Sequence, residues 1–220
     1  MIKIAPSILT WDFTRLGKTL KLVENAGVDM IHLDIMDGHF VPNISFGPAL
    51  VKSINDKTSL PLDVHLMIEK PENFVQRFKD AGADIITVHA ETVKDMDGMI
   101  KMIKKAGLKA GLSLNPRTGI EKIEKYLSKI DMVLLMTVHP GFGGQQFISA
   151  VLAKIKKLKK LITLNGLKVD IEVDGGINSE TAVMAVRAGA NILVAGSYLY
   201  SSKNIKSTVQ SIRRRCIDIL

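Results

Sequence analysis

Short runs rich in isoleucine, valine and leucine alternate along the chain with longer segments whose apolar residues recur at helical spacing. Strands covered by helices read as near-continuous apolar runs and their helices as amphipathic, so the alternation predicts repeated strand–helix units and a parallel sheet. Strands are expected to begin near Ile2, Met30, Leu60, Asp84, Lys109, Met132, Asp170 and Ile192, each followed by a helical pattern. The joints repeat too. Ala26-Gly27-Val28-Asp29, Ala81-Gly82-Ala83-Asp84 and Ala188-Gly189-Ala190-Asn191 each place a glycine just past a helix, and Lys105-Ala106-Gly107-Leu108 is a looser copy. A left-handed residue commonly ends a helix, and glycine adopts that conformation without steric cost. Eight such units in 220 residues, with no linker or break in composition, fit a single (β/α)8 barrel domain over residues 1–220. The rival is an open doubly wound sheet. Against it, no GxGxxG follows the first strand, which runs into Ala5-Pro6-Ser7-Ile8-Leu9.

A barrel gathers its reactive groups at the C-terminal ends of its strands. The five histidines, His32, His39, His65, His89 and His139, are all expected in or just past strands and none on a helix. Because side chains alternate along a strand, the second strand puts His32, Asp34 and Met36 on one face and Ile31, Leu33 and Ile35 on the other. The apolar set belongs against the helices, which turns the histidine, the carboxylate and the thioether inward. The third strand repeats this with Asp63, His65 and Met67, and the seventh directs Glu172 and Asp174 inward. Buried imidazoles and carboxylates are costly unless paired or bound to a cation. His32, Asp34, His65 and Asp174 offer two nitrogens and two carboxylates, a set suited to a divalent ion; a hydrogen-bonded polar cluster is the alternative, since no HExxH or CxxC fixes the matter. Glycines close the last three strands in Gly141-Phe142-Gly143-Gly144, Gly175-Gly176 and Gly196-Ser197. Backbone amides free in three adjacent loops point to a phosphate cradle rather than plain turns.

Composition narrows the class. The 46% hydrophobic and 24% charged fractions are those of an ordinary globular protein. A net charge of +8 raises the question of nucleic acid, but the charge falls on predicted helices, in Lys154, Lys156, Lys157, Lys159 and Lys160 and in Arg213 to Arg215, as a solvated helix face would carry it. Three tyrosines and one tryptophan offer little to stack on bases, so a basic nucleic-acid-binding module is the rival from another class and no nucleic acid is expected as partner. The lone Cys216 and an N-terminus that meets Pro6 too early for a signal peptide point to a reducing, cytoplasmic location without a membrane partner.

Five segments, Ala5 to Leu9, His32 to Asn43, Asp63 to Met67, Pro140 to Gln145 and Val173 to Ile177, together resemble the ribulose-phosphate 3-epimerase family, and the likeness runs over essentially the whole chain. The resemblance implies interconversion of D-ribulose 5-phosphate and D-xylulose 5-phosphate, a step of the pentose phosphate pathway. It implies one divalent metal ion per subunit, zinc or iron first, manganese or cobalt as alternatives. By position, His32, Asp34, His65 and Asp174 match the metal ligands, and Asp34 and Asp174 the acid/base pair. Ser7, His65, Gly141, Phe142, Gly143, Gly144, Asp174, Gly175, Gly176, Gly196 and Ser197 match substrate-contacting positions, and Met36, Met67 and Met136 match site-lining methionines. Trp11 and His139 depart from the family pattern, which commonly has a small residue and an asparagine there. The expected partner is a phosphorylated ketose, with allulose 6-phosphate as the alternative substrate, and a homo-oligomer is expected.

Overall fold

In the computed structural model, which describes residues 2–219, eight strands form one parallel sheet. They are β1 (Lys3–Pro6), β2 (Ile31–Met36), β3 (Leu62–Met67), β4 (Ile85–His89), β5 (Lys109–Leu114), β6 (Met132–Met136), β7 (Asp170–Asp174) and β8 (Ile192–Ala195). Each begins within two residues of its expected position. The order β1-β8-β7-β6-β5-β4-β3-β2 winds the sheet almost into a closed barrel. The helices of the connections are α1 (Leu16–Asn25), α2 (Pro48–Asn55), α3 (Val75–Asp80), α4 (Met96–Lys105), α5 (Val151–Leu164) and α6 (Ser179–Ala188), with α7 (Ser197–Tyr200) and α8 (Ile205–Ile217) after β8. The joint glycines Gly27, Gly82, Gly107 and Gly189 all take positive φ, at 78°, 98°, 81° and 118°.

One connection differs from expectation. The segment between β5 and β6 folds as two 3₁₀ turns, Ile120–Lys122 and Glu124–Lys129, instead of an α-helix. Its buried residues explain the choice: Ile120, Ile123, Tyr126 and Leu127 recur about every three positions, which matches the three-residue turn of a 3₁₀ helix.

The main core lies between sheet and helices and takes the outward set Ile31, Leu33 and Ile35, with Leu62, Val64 and Leu66 from β3. A separate apolar floor of Ala5, Met30, Ile85, Met132, Ile192 and Val194 plugs the barrel interior. On α5, Lys156, Lys157, Lys159 and Lys160 face solvent, whereas half-buried Lys154 donates to the carbonyls of Asn115 and Pro116, each at 2.8 Å. No described helix is long and apolar enough to cross a membrane.

Closure of the barrel falls on side chains. Between β1 and β2 the continuous ladder gives way to a single bridge between Ser7 and His32. Asp29 supplements it, its N–H donating to Ile4 O at 3.0 Å and its Oδ2 accepting from Ile4 N–H at 2.8 Å. Arg213 from α8 then ties the seam, donating to Ile2 O at 2.9 Å and to Gly27 O and Asp29 Oδ2 at 2.8 Å each. Arg213→Ala removes three charge-assisted bonds at a partly buried site, and urea unfolding should show a loss of about 1–3 kcal/mol.

Candidate active site

Register brings the inward side chains together. β2 and β3 pair so that His32 lies opposite Asp63, Asp34 opposite His65 and Met36 opposite Met67, and a polar level therefore sits beneath a thioether level. His32 Nδ1 is 2.6 Å from Asp63 Oδ2, which leaves Nε2 toward Asp34 Oδ1 at 3.3 Å without a hydrogen bond. His65 Nδ1 faces Asp34 Oδ1 at 3.1 Å, and Ser7 Oγ donates to Asp34 Oδ2 at 2.6 Å. Asp174 enters from β7. Ligand atoms of His32, Asp34, His65 and Asp174 all lie within 4.8 Å of one another. A completely buried imidazole nitrogen without a partner, converging with two carboxylates, is what a divalent cation would satisfy, and two imidazoles with two carboxylates suit zinc or iron chemistry.

The charges of this cluster perturb one another strongly. Burial would push Asp34 up, but the imidazoles of His32 and His65 prevail and hold its carboxyl below the usual range. Burial, then the charge of Asp34, pushes Asp174 up to about 7, against the opposing pull of His32. Burial lowers His65 to about 4 despite its bond to Asp34. His32 moves the other way: desolvation is outweighed by the charges of Asp34 and Asp63, which raise it well above an ordinary histidine. Beneath them Glu172, buried and facing the charge of Asp63, is raised well above the carboxylate range.

Above the cluster opens a pocket that contains Ser7, Asp34, Asp174 and the three methionines Met36, Met67 and Met136. Its other wall is made by the glycine loops: Gly141, Phe142, Gly143 and Gly144, then Gly175 and Gly176, then Gly196 and Ser197. Gly176 has φ of 64°, and a side chain there would collide with the backbone of Phe147 at 2.5 Å. Asn43 from the loop after β2 donates to Gly141 O at 2.7 Å across the mouth. The expected residues thus converge, His32 and His65 from below and the others around the pocket. Two histidines do not join them: His39 is largely exposed and bonded to Asp37, and His139 is exposed after β6. Both stand on loops beyond a strand end, where the inward alternation no longer applies. Trp11 is buried edge-to-face against Tyr200, with ring centroids 4.8 Å apart, as a core residue of the mouth.

Sequence reasoning assigned no site role to His89, Glu91 or Asp63. His89 Nε2 is 2.9 Å from His65 Nε2, and His89 Nδ1 is 3.2 Å from Glu91 Oε2. The inward position of Asp63 was the available signal for its pairing with His32; Glu91 lies past β4, where no strand periodicity points to it.

The model of the Ribulose-phosphate 3 epimerase family matches residues 3–200. The chain is 53% identical over 214 residues to the ribulose-phosphate 3-epimerase of Bacillus subtilis, covering 97% of this chain and 99% of that relative. It is 47% identical over 220 residues to the ribulose-phosphate 3-epimerase of Methanocaldococcus jannaschii, covering 100% and 93%. Among solved structures it superposes on a 3-hexulose-6-phosphate synthase with a TM-score of 0.73 at 17% identity, covering 97% and 99% of the two chains. The tryptophan synthase alpha chain of Legionella pneumophila gives a TM-score of 0.67 at 16% identity, covering 99% and 92%. These two structural likenesses concern the fold alone.

An ion in this cluster must displace protons. Asp174, raised to about 7, is protonated below that pH and ionised above it, and His32 must also release the proton from Nε2. Zinc affinity of metal-free protein, measured by chelator competition, should therefore rise with pH through about 7, by about tenfold per unit for each proton displaced.

Proposed function

The chain belongs to the ribulose-phosphate 3-epimerase family, and from that membership we propose that it interconverts D-ribulose 5-phosphate and D-xylulose 5-phosphate by two-carboxylate proton transfer at C3. One observation carries the mechanism: Asp34 on β2 and Asp174 on β7, with β1 and β8 between them, converge on a single pocket. Inverting a carbon beside a ketone requires a proton to leave one face and another to arrive on the opposite face, so the substrate needs a carboxyl on each side. Asp34, held ionised by its imidazole neighbours and oriented by the Ser7 hydroxyl, accepts the proton. Asp174, which retains a proton near neutrality, supplies the other. For the reverse substrate the two exchange roles.

His32, Asp34, His65 and Asp174 would hold the divalent ion, with His32 presenting Nε2 and His65 Nδ1. When bound, such an ion supplies Lewis-acid charge that favours negative oxygen at a ketone and its neighbouring hydroxyl. Met36, Met67 and Met136 exclude water around C3 without offering a competing proton. The backbone amides of Gly175, Gly176, Gly196 and Ser197 receive the phosphate, with the loop from Gly141 to Gly144 beside them.

In deuterated water, product should carry solvent deuterium at C3, and retention of the original hydrogen in single-turnover product would exclude the two-carboxyl scheme. Asp34→Asn and Asp174→Asn should each lower kcat at least about 100-fold, with metal content measured in the same samples. Turnover of allulose 6-phosphate in preference to the pentose would reassign the substrate.

The phosphate cradle has its own test at Gly196. A Cβ there would meet only Thr10 Oγ1 at 3.6 Å and atoms of Ser7 beyond it, so Gly196→Ala should fold normally while blocking close approach of the phosphate to the backbone. KM should rise by roughly tenfold, equivalent to about one charge-assisted hydrogen bond, with metal content unchanged.

A further inference from the structure

The geometry assigns Asn43 as a positioning residue that tethers the glycine loop after β6 to the strand carrying Asp34. The consequence for substrate affinity rests on the phosphorylated-ketose reading given above; the tether itself does not. Asn43 stands on a loop that is fixed at its base. Leaving β2, the chain doubles back, with an antiparallel bridge between Asp37 and Ile44. Ser45 Oγ accepts Met36 N–H at 3.0 Å and donates to Asp34 O at 2.6 Å, and Asp37 Oδ2 accepts the N–H of Glu69, just past β3, at 2.9 Å. Buried Val41 packs against Met36 and Met67, which seats the loop on the methionine level.

The loop that Asn43 reaches has far less support. Residues 139–147 keep their own shape through Gln145, whose Nε2 donates to His139 O at 2.6 Å and to Phe142 O at 2.8 Å. Among the described residues, the one hydrogen bond that this loop receives from another segment is that of Asn43 Nδ2 to Gly141 O, at 2.7 Å. Gly141 is buried, and a Cβ there would lie 3.5 Å from Val41 Cβ, so its backbone rests on the very loop that carries Asn43. Beyond it Phe142, Gly143 and Gly144 are exposed, and none of their N–H groups is bonded within the described structure. These residues line the pocket, and a bound oxyanion can use their donors only while the loop stays in place. An untethered loop must be ordered again at each binding event, a cost that falls on KM rather than on proton transfer at Asp34 and Asp174.

Two substitutions separate the bond from the packing. Asn43→Asp keeps the shape of the side chain but puts a carboxylate, which can only accept, against Gly141 O. Asn43→Ala removes the bond without adding repulsion. KM for D-ribulose 5-phosphate should rise about 3–10-fold in Asn43→Ala and further in Asn43→Asp, with kcat within about twofold of wild type and metal content unchanged. Limited digestion with chymotrypsin, which cuts after aromatic residues, reads the loop directly because Phe142 is 56% exposed. Cleavage after Phe142 should quicken in the same order, with the urea midpoint of each variant showing an intact fold. A role in packing alone would leave Asn43→Asp close to wild type, since the two side chains fill the same volume, and that result would overturn the assignment. Unchanged cleavage in both variants, or a loss of kcat or metal with KM unchanged, would overturn it as well. Quickened cleavage without any effect on KM would uphold the tether and count instead against placing the sugar phosphate beside this loop.

Discussion

An ionisable side chain inside an apolar barrel is tolerable only where another group answers its charge or its hydrogen bond. That constraint organises the interior from floor to mouth. Strand pairing itself supplies the answers: the β2–β3 register sets His32 against Asp63 and Asp34 against His65. A slip of one residue would turn all four into the helices and put Ile31, Leu33 and Ile35 inside. The register is therefore held twice, by the apolar packing outside the sheet and by complementary polar pairs within it. Glu172, which makes no hydrogen bond through either oxygen and meets His32 Nδ1 only at 3.7 Å, is the exception, and its raised pKa is the means by which it avoids carrying a bare charge.

The same constraint separates the roles of two otherwise similar aspartates. Asp34 has imidazoles on two sides and a hydroxyl on its second oxygen, so its anion is well solvated by protein. Asp174 accepts no such bonds, and burial with the charge of Asp34 outweighs the pull of His32. One fold element thus presents a ready acceptor and another a retained proton, although both residues are the same amino acid. The difference lies entirely in what the neighbouring strands bring near each carboxyl.

Much of this was legible in the chain. Period-two alternation in His32 to Met36 and Asp63 to Met67 identifies the inward groups, because the two strands pair without a break and both outer faces are covered. The helix-ending glycines located the joints for a similar reason: positive φ is a local demand that sequence states directly. What failed to show was non-local or outside regular structure. His39 and His139 share the strand-end positions of the inward histidines in the sequence, yet loop residues follow no strand phase. The segment before β6 has apolar spacing close to both three and three-and-a-half residues, which sequence alone resolves poorly. The link from His65 through His89 to Glu91 depends on which ring nitrogen faces which neighbour, and no spacing rule encodes a ring orientation.

The seam between β1 and β2 bears on how the molecule forms. Its tie joins Ile2 to Arg213, 211 residues apart, so the closing contact spans almost the entire described chain. Contacts of such long range are formed late in folding, after the more local βα neighbours have paid the entropy of bringing the ends together. During synthesis, β1 emerges first yet waits unsewn until α8 has left the ribosome. Ser7, which belongs both to that seam and to the bond with Asp34, makes barrel closure and a finished catalytic pocket the same event. A partly made chain would accordingly hold most of its sheet while lacking the arrangement that binds and turns over a substrate.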